Sequence, residues 1–450
     1  MIRTKVAIAR AVGRLSRASG RGGGTTLPGR VLLRLDPNAI GKLGSGLTAG
    51  TTLISATNGK TTTASMLATI LSAAGREPIH NRAGSNMTWG VATALAEQKG
   101  TEGLFEVDEA WLPEVADGLK PETILLGNLF RDQLDRYGET ETLADAWKEL
   151  AARHAGKTVF VLNADDPLVA DIGHASGPGT VYFGLDDPSQ ALPELQHAHD
   201  AKLCRVCGHE LTYDSAFVGH LGHYHCESCG MRRPQPEISA TGITLNGMAG
   251  LSATIEFPEG SVKLELPIPR LYNLYNALGA IASARQIGVP VTDAVKSLAT
   301  MKAVFGRVER IEIGDVSLSI LLVKNPAGAN EVIRTLALEP APIDVWIALN
   351  DRIADGRDVS WVWDADFEML AGRVGRVTCT GTRAAEMALR LKYAGWPTER
   401  TFVVNDPETA LDQALGEARS QLFALPTYTA LLDLRNLLAE RGDSERYWEG

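Results

Sequence analysis

Disulfide frameworks, membrane spans and basic nucleic-acid surfaces are hard to build from this sequence, because the residues they need are scarce. Five cysteines in 450 residues are too few for a disulfide framework. Four of them fall in two C-x-x-C pairs, the way a chain in a reducing compartment holds a metal. No apolar run approaches the roughly 20 residues needed to cross a bilayer, so the expectation is a soluble protein. Lys and Arg number 44 against 54 Asp and Glu, a net charge of −10, which argues against general nucleic-acid binding through a basic face. Internal repeats are missing, and the only low-complexity stretch is a short glycine-rich one near the start.

Acidic residues are absent from one region. Residues 1–30 carry Arg3, Lys5, Arg10, Arg14, Arg17, Arg21 and Arg30 but no Asp or Glu. Three readings fit: a transit peptide, a basic helix touching anionic lipid or a polyphosphate substrate, or a solvated leader. The stretch "GRGGGTT" (20–26) then marks a flexible break.

What remains is long enough for two or three domains. From residue 51, short β-type runs ("TTLIS", "GLFEV", "TILLG", "TVFVLN") alternate with helical patterns, which predicts a parallel sheet covered by helices on both faces. The rhythm breaks at 200–236, resumes as β-rich sequence and a helix over 273–287, and restarts after Arg310 as a second, smaller α/β series. The expected divisions are a basic arm over 1–45, a central domain over 46–310 with an insertion at about 200–234, and a C-terminal domain over 311–450.

The stretch "LISATNGKTTTASML" (53–67) joins a strand to a helix through a phosphate-binding turn. Backbone N–H groups at the helix start form an anion site. Lys60 can reach terminal phosphates, and Thr61 offers a hydroxyl to Mg²⁺. Measured against G-x-x-x-x-G-K-[ST], the loop lacks its first glycine, since Ile54 stands there.

A second signal is independent of the first. Cys204, Cys207, Cys226 and Cys229, spaced as C-x₂-C-x₁₈-C-x₂-C, predict a tetrahedral Zn²⁺ site with no position open for water, hence a structural one. His209, His220, His223 and His225 lie in the same insertion as alternative ligands. Cys379, inside an apolar strand, reads as a buried thiol.

"TNGKTTT" resembles the ATP-binding loop of Mur ligases and folylpolyglutamate synthetases, a shorter pattern than Walker A, with Ala56 where that family has glycine. The resemblance implies nucleotide contacts from Thr57, Asn58, Gly59, Lys60, Thr61 and Thr62. "FEVDEA" (105–110) resembles the family's acidic Mg²⁺-binding segment, so Glu106 is the first candidate and Glu109 the second. "NLFRDQLDRYGE" (128–139) resembles a Mur segment in which Gln133 replaces a histidine. "VLNADDP" (161–167) and "YNLYNALGAIA" (272–282) resemble nucleotide-contacting segments, implying Asn163, Asp165, Asn273 and Asn276. "FGRVER" (305–310) implies Arg307 at a phosphate or ribose.

The stretches "NRAGSNMTWGV" (81–91), "LLVKNPAGANEVI" (321–333), "LNDRIADGRDVSWVWDADFE" (349–368), "GTRAAEMALRLKYAG" (381–395) and "LPTYTALLDLR" (425–435) resemble the MurT branch of that family. The implied fold is α/β: a Mur ligase-type P-loop domain with a Cys₄ zinc-ribbon insertion, then a smaller Rossmann-like α/β domain. Ordinary Mur ligases carry a further amino-terminal domain for UDP. Here the loop arrives by residue 56, which fits a lipid-linked substrate without UDP.

The implied activity is ATP-dependent amidation of the D-glutamate α-carboxylate of lipid II, at the inner face of the cytoplasmic membrane, using ATP, Mg²⁺ and a structural Zn²⁺. Ammonia would come from a GatD-type glutaminase partner, whose Cys and His are completed by an Asp of this chain: Asp355 first, with Asp351 and Asp358 as alternatives. An amino-acid-adding ligase and a zinc-ribbon nucleotide-binding scaffold are the competing readings.

Overall fold

Each apolar run becomes a strand because its side chains alternate between two helix-covered faces. Leu53 enters one core cluster with Phe105, Ile124 and Trp147, while its neighbour Ile54 enters the other with Leu67, Leu125 and Phe183. Every one of these side chains is at most 1% exposed, and each contributes roughly 1.5–3 kcal/mol by leaving water. The computed structural model describes residues 2–18, 26–81, 85–131, 140–195, 200–301 and 309–444.

Three helices open the chain: α1 (Ile2–Ala18), α2 (Leu27–Leu35) and α3 (Ala39–Gly44). An α/β series follows, with β1 (Thr51–Ser55), α4 (Lys60–Ala73), β2 (Ile79–His80), α5 (Thr88–Glu97), β3 (Gly103–Glu106), α6 (Leu112–Leu119), β4 (Thr123–Leu126), α7 (Thr140–His154), β5 (Val159–Asn163) and β6 (Val181–Leu185). A hairpin of β7 (Thr212–Val218) and β8 (Leu221–His225) precedes a meander of β9 (Ile238–Leu245), β10 (Leu251–Phe257) and β11 (Gly260–Leu266). Helices α8 (Leu271–Gln286) and α9 (Val291–Leu298) close this part. The strands form one sheet in the order β11-β10-β9-β6-β5-β4-β1-β3-β2, with the hairpin apart.

This sheet is parallel from β2 to β9 and antiparallel across β9, β10 and β11. The expected parallel sheet is therefore extended by a meander at one edge. Short connections after β9 and β10 leave no room for a crossover helix, so those strands must run antiparallel.

The second sheet contains β12 (Glu309–Ile313), β13 (Val316–Ile320), β14 (Ile343–Ala348), β15 (Val374–Thr380), β16 (Thr401–Val403) and β17 (Gln421–Pro426). Its order is β12-β13-β17-β14-β15-β16, parallel except where β12 meets β13. Helices α10 (Pro326–Leu336), α11 (Ala384–Tyr393), α12 (Pro407–Glu417) and α13 (Tyr428–Arg441) cover it. Glu309 and Arg310 already pair with Ile320 and Ser319, so the second unit begins before the expected boundary at 311.

The basic arm is not a detached leader. Val6 and Ala9 of α1 pack with Leu32, Ala39 and Ala96, and Lys5 pairs with Asp36 at 3.1 Å. Gly29 permits α2 to lie on α5: a Cβ there would sit 1.8 Å from the Trp89 carbonyl oxygen. Of the expected break at 20–26, only Thr26 is among the described residues. No helix among them is long and apolar enough to cross a membrane.

Candidate active site

The phosphate loop leaves the carboxyl end of β1 and enters α4 through Gly59, whose φ is +91°. A Cβ at Gly59 would meet Asn276 Oδ1 at 2.1 Å, so conformation and space both demand glycine. Asn276 Oδ1 also accepts from Thr63 Oγ1 at 3.2 Å, and its Nδ2 donates to Asn273 Oδ1 at 3.0 Å. Asn273 is in turn tied to the Pro269 carbonyl at 2.6 Å. The pair thus clamps the loop from α8, with Asn276 alone lining the cavity beside the loop.

Ala56 is not strained. Among the described residues only Lys120 and Arg270 have positive φ outside glycine. The methyl group of Ala56 is instead accommodated by its neighbour: a Cβ on Gly127 would lie 3.0 Å from the Ala56 Cβ. Thr57 and Asn58 are held by the segment after β4. The Thr57 hydroxyl accepts from Phe130 N at 3.0 Å, and Asn58 N donates to Asn128 Oδ1 at 2.9 Å. Thr61 and Thr62 begin α4 behind Lys60, and the Thr62 hydroxyl is buried without a hydrogen-bond partner.

Lys60 Nζ donates to Glu109 Oε2 at 2.6 Å and to the Ala56 carbonyl at 2.5 Å. Glu106 ends β3, paired in register with Ile54, and its backbone is fixed by Asn81 through bonds of 3.0 and 2.8 Å. The two expected acids therefore both stand at the loop, with Glu109 on the lysine. Arg307 and Gln133 lie outside the described residues.

Asn163 ends β5 and Asp165 lies in the buried turn after it. Like Lys60 and Thr61, they are not among the residues lining the cavity, and Asn163 Nδ2 is buried without a partner. Asp165 accepts from Arg233 Nε at 2.5 Å, Tyr275 OH at 2.7 Å and Leu185 N at 2.8 Å, while Asn163 Oδ1 accepts from Asp165 N at 3.0 Å. Burial pushes the Asp165 carboxyl up against the pull of Arg233. This is a knot joining β5, α8 and the insertion, with its oxygens already engaged.

The cavity itself lies between the loop and the second unit. Asn58, Gly59 and Asn276 form its loop side, Phe130, Val218 and Leu221 an apolar wall, and Leu322, Lys324 and Gly328 the opposite side. Asn325 crosses to the loop, donating to Asn58 Oδ1 at 3.1 Å while capping α10 through Gly328 N at 2.9 Å. Sequence reading gave Lys324 and Asn325 no role. The available signal was Asn before Pro, an N-cap followed by N1 proline.

Arg270 was also missed. It lines the same cavity, is 4% exposed and holds a φ of +82°. Its Nη1 donates to Tyr272 OH at 2.5 Å, but Nε and Nη2 are buried without acceptors. Nearby Glu331 is fully buried, and its carboxyl is pushed up by that burial against the pull of Arg334, the Tyr272 N–H and Arg270. A buried guanidinium with two unused donors is costly unless an anion completes it.

The four cysteines converge. Their sulfurs lie within 4.8 Å of one another, with Cys204–Cys229 at 3.6 Å and Cys207–Cys226 at 3.5 Å. Four thiolates about 2.3 Å from a tetrahedral Zn²⁺ would sit about 3.8 Å apart, so the donor set fits that ion. Both knuckles use one turn, in which Gly208 (φ +77°) and Gly230 (φ +76°) return their N–H to Cys204 and Cys226 at 2.9 Å. The His209 backbone N–H draws the Cys207 thiol down to about 6. Three of the four histidines serve elsewhere: His223 contacts the Leu185 carbonyl at 2.8 Å, His225 contacts Asp214 at 3.1 Å, and buried His220 faces Asp166 at 3.3 Å. The His209 side chain stays beside Cys207. Cys379 is buried as expected, its thiol pushed up to about 12.

On the second unit, Asp355 is 8% exposed and accepts from Thr429 N at 2.7 Å and Thr429 Oγ1 at 2.5 Å. Asp351 is held by Thr382 at 2.8 Å and Arg383 at 3.2 Å, and exposed Asp358 caps Ser360 N at 2.8 Å. Between them Ile353 is 79% exposed.

A phosphate loop at the carboxyl end of a parallel sheet, with one acid ending the adjacent strand and another just beyond it, and a second α/β unit facing it, defines a Mur-type ligase. Residues 54–225 match the Mur ligase middle domain and residues 322–431 the MurT ligase C-terminal family. Subunit MurT of the glutamine-hydrolysing lipid II isoglutaminyl synthase of Streptococcus pneumoniae (strain ATCC BAA-255 / R6) is 33% identical over 427 residues, 93% of each chain. Its counterpart in Staphylococcus aureus (strain N315) is 32% identical over 449 residues, 98% of this chain and 99% of that one. The chain belongs to the MurT family of Mur ligases, a family that uses ATP and Mg²⁺.

Solved structures agree on the fold. A pseudomurein peptide ligase type C from Methanothermus fervidus superposes with TM-score 0.68 at 23% identity, covering 87% of this chain and 79% of that one. MurF from Thermotoga maritima in complex with ADP gives 0.64 at 14% identity, covering 92% and 84%.

Proposed function

We propose that this chain is the synthetase half of a two-subunit enzyme that amidates the D-glutamate α-carboxylate of lipid II at the inner face of the cytoplasmic membrane. Full-length similarity to MurT subunits, combined with a loop carrying Lys60 against Glu109, is the observation that carries this reading. In this account residues 46–308 bind the nucleotide, the ribbon near 200–234 is a structural insertion, and the unit from 309 onward closes the site and meets the partner.

A carboxylate is a poor acyl donor because oxide would have to leave. A carboxylate oxygen attacks the γ-phosphorus of ATP, the bond to the β-phosphate oxygen breaks, and ADP departs. Ammonia then attacks the acyl phosphate carbon, phosphate leaves, and the nitrogen sheds a proton to give the amide. Lys60 leaves Glu109 for the terminal phosphates, and Arg270 and Arg307 add positive charge around them, which stabilises the phosphoryl transfer electrostatically. Thr61 and Glu106 would hold Mg²⁺, which supplies charge neutralisation on the β- and γ-phosphates. The four cysteines would hold Zn²⁺ as a structural ion.

The partner is a GatD-type glutaminase, which supplies ammonia. Asp355, fixed by two bonds from Thr429 beneath the exposed Ile353 loop, is the carboxylate that would orient the partner's catalytic imidazole. Co-purification with the glutaminase should give glutamine- and ATP-dependent amidation of lipid II, and this chain alone should amidate with ammonium chloride. Amidation that needs no ATP, or addition of an amino acid instead of ammonia, would overturn the reading.

A further inference from the structure

Two arginines of α1, Arg3 and Arg14, are exposed. Val6, Ala9 and Gly13 turn toward the body of the protein, and Lys5 and Arg10 are tied to Asp36 and the Ala96 carbonyl. Ala7, Ile8, Ala11 and Leu15 remain on the opposite face, with exposed Arg3 and Arg14 on its flank beside a groove toward Leu43 and Leu95. Leu15 is 70% and Ile8 46% exposed. At 3.6 residues per turn these form one band, with Ile8, Ala11 and Leu15 along one side and Arg3, Ala7 and Arg14 along the other. Residues 1–30 contain no acid, although the chain as a whole carries −10.

We infer that α1 docks this protein on an anionic lipid bilayer, lying in the headgroup plane with Ile8 and Leu15 inserted and Arg3 and Arg14 among the phosphates. Charge complementarity selects that partner. Nucleic acid would reward the arginines but gain nothing from the exposed Ile8 and Leu15 beside them, whereas an interfacial helix uses both. The inference deepens the proposed function, whose substrate is a membrane lipid. It gives a ligase without a spanning helix among its described residues a means of staying at that lipid.

The test uses the full chain with phosphatidylcholine vesicles, with and without phosphatidylglycerol. Binding is expected only to the anionic vesicles and should fall as salt rises. Each arginine near an anionic surface adds about fivefold to partitioning, so R3A/R14A should weaken binding about 25-fold. L15D and I8D should weaken it comparably. All variants should retain wild-type amidation of a water-soluble, short-chain lipid II analogue.

Equal vesicle binding by the variants and the wild type would overturn the inference. So would variants that lose duplex DNA or the glutaminase rather than vesicles. Failure of the wild type to amidate the soluble analogue would sink the functional reading alone, since vesicle binding is measured without substrate.

Discussion

Lys60 Nζ lies 2.6 Å from Glu109 Oε2, with both side chains about nine-tenths buried. Lys60, the phosphate-binding cation of the proposed function, is thus paired with an internal carboxylate, and on that reading a nucleotide phosphate competes with Glu109 for it. Glu109→Gln should therefore tighten nucleotide binding, by about fivefold for a contact of about 1 kcal/mol, measured by calorimetry with ADP, and leave the Mg²⁺ requirement unchanged. Glu106→Gln should raise the Mg²⁺ concentration for half-maximal activity by at least about tenfold. The reverse pattern would exchange the two roles.

Arg270 should trade stability for binding. Arg270→Gly relieves a left-handed backbone worth about 1 kcal/mol and removes a buried, incompletely paired cation, so Tm should rise. Nucleotide affinity should fall about 10- to 100-fold, the range for a charge-assisted hydrogen bond of about 1.5–3 kcal/mol. Arg270→Lys keeps charge and strain, and should recover part of the affinity without the gain in Tm. A glycine variant that binds as tightly as the wild type would remove Arg270 from the site.

Ala56 and Gly127 form a size-matched pair, so Gly127→Ala should destabilise by about 1–3 kcal/mol through overpacking, read by denaturant unfolding. Ala56→Gly alone should have little effect on activity, since the position needs no left-handed backbone. The double variant should recover about 1 kcal/mol of the loss. Strict additivity would show that the two methyl positions do not compete.

The insertion should matter to the nucleotide through its hairpin. Gly222 N donates to the Asp165 carbonyl at 2.9 Å, Arg334 Nη1 to the Phe217 carbonyl at 3.0 Å, and Val218 and Leu221 wall the cavity. Cys204→Ser/Cys229→Ser should lower the zinc content from one per chain to none by elemental analysis. ADP affinity should fall about tenfold, or ~1.4 kcal/mol. Loss of zinc with unchanged affinity would uncouple the ribbon from the site.

These predictions show where sequence was and was not enough. The loop and the cysteine knuckles were legible because their turns are local: Gly59 with its φ of +91° leads straight into α4, and Gly208 returns its N–H to Cys204 four residues back. Asn276 and Glu109, which complete the loop's surroundings, come from far along the chain. Ala56 looked like a flaw because its accommodation lies across the sheet in Gly127. For Asn163 and Asp165, spacing does not say which way a buried turn faces or that Arg233 and Tyr275 engage the Asp165 carboxylate. Arg270, Lys324 and Asn325 acquire their meaning only when the second unit meets the loop. The alternating α/β rhythm was readable throughout, whereas the antiparallel edge and the start of β12 depended on tertiary pairing.

The most direct test of the account follows oxygen. Lipid II carrying ¹⁸O in both oxygens of its D-glutamate α-carboxylate is incubated with this chain, its glutaminase, glutamine and ATP. The released phosphate is then examined by mass spectrometry. An acyl phosphate requires one ¹⁸O in each phosphate released, matched to one amide formed, and Lys60→Ala should abolish both together. Amide formation with unlabelled phosphate would contradict the account.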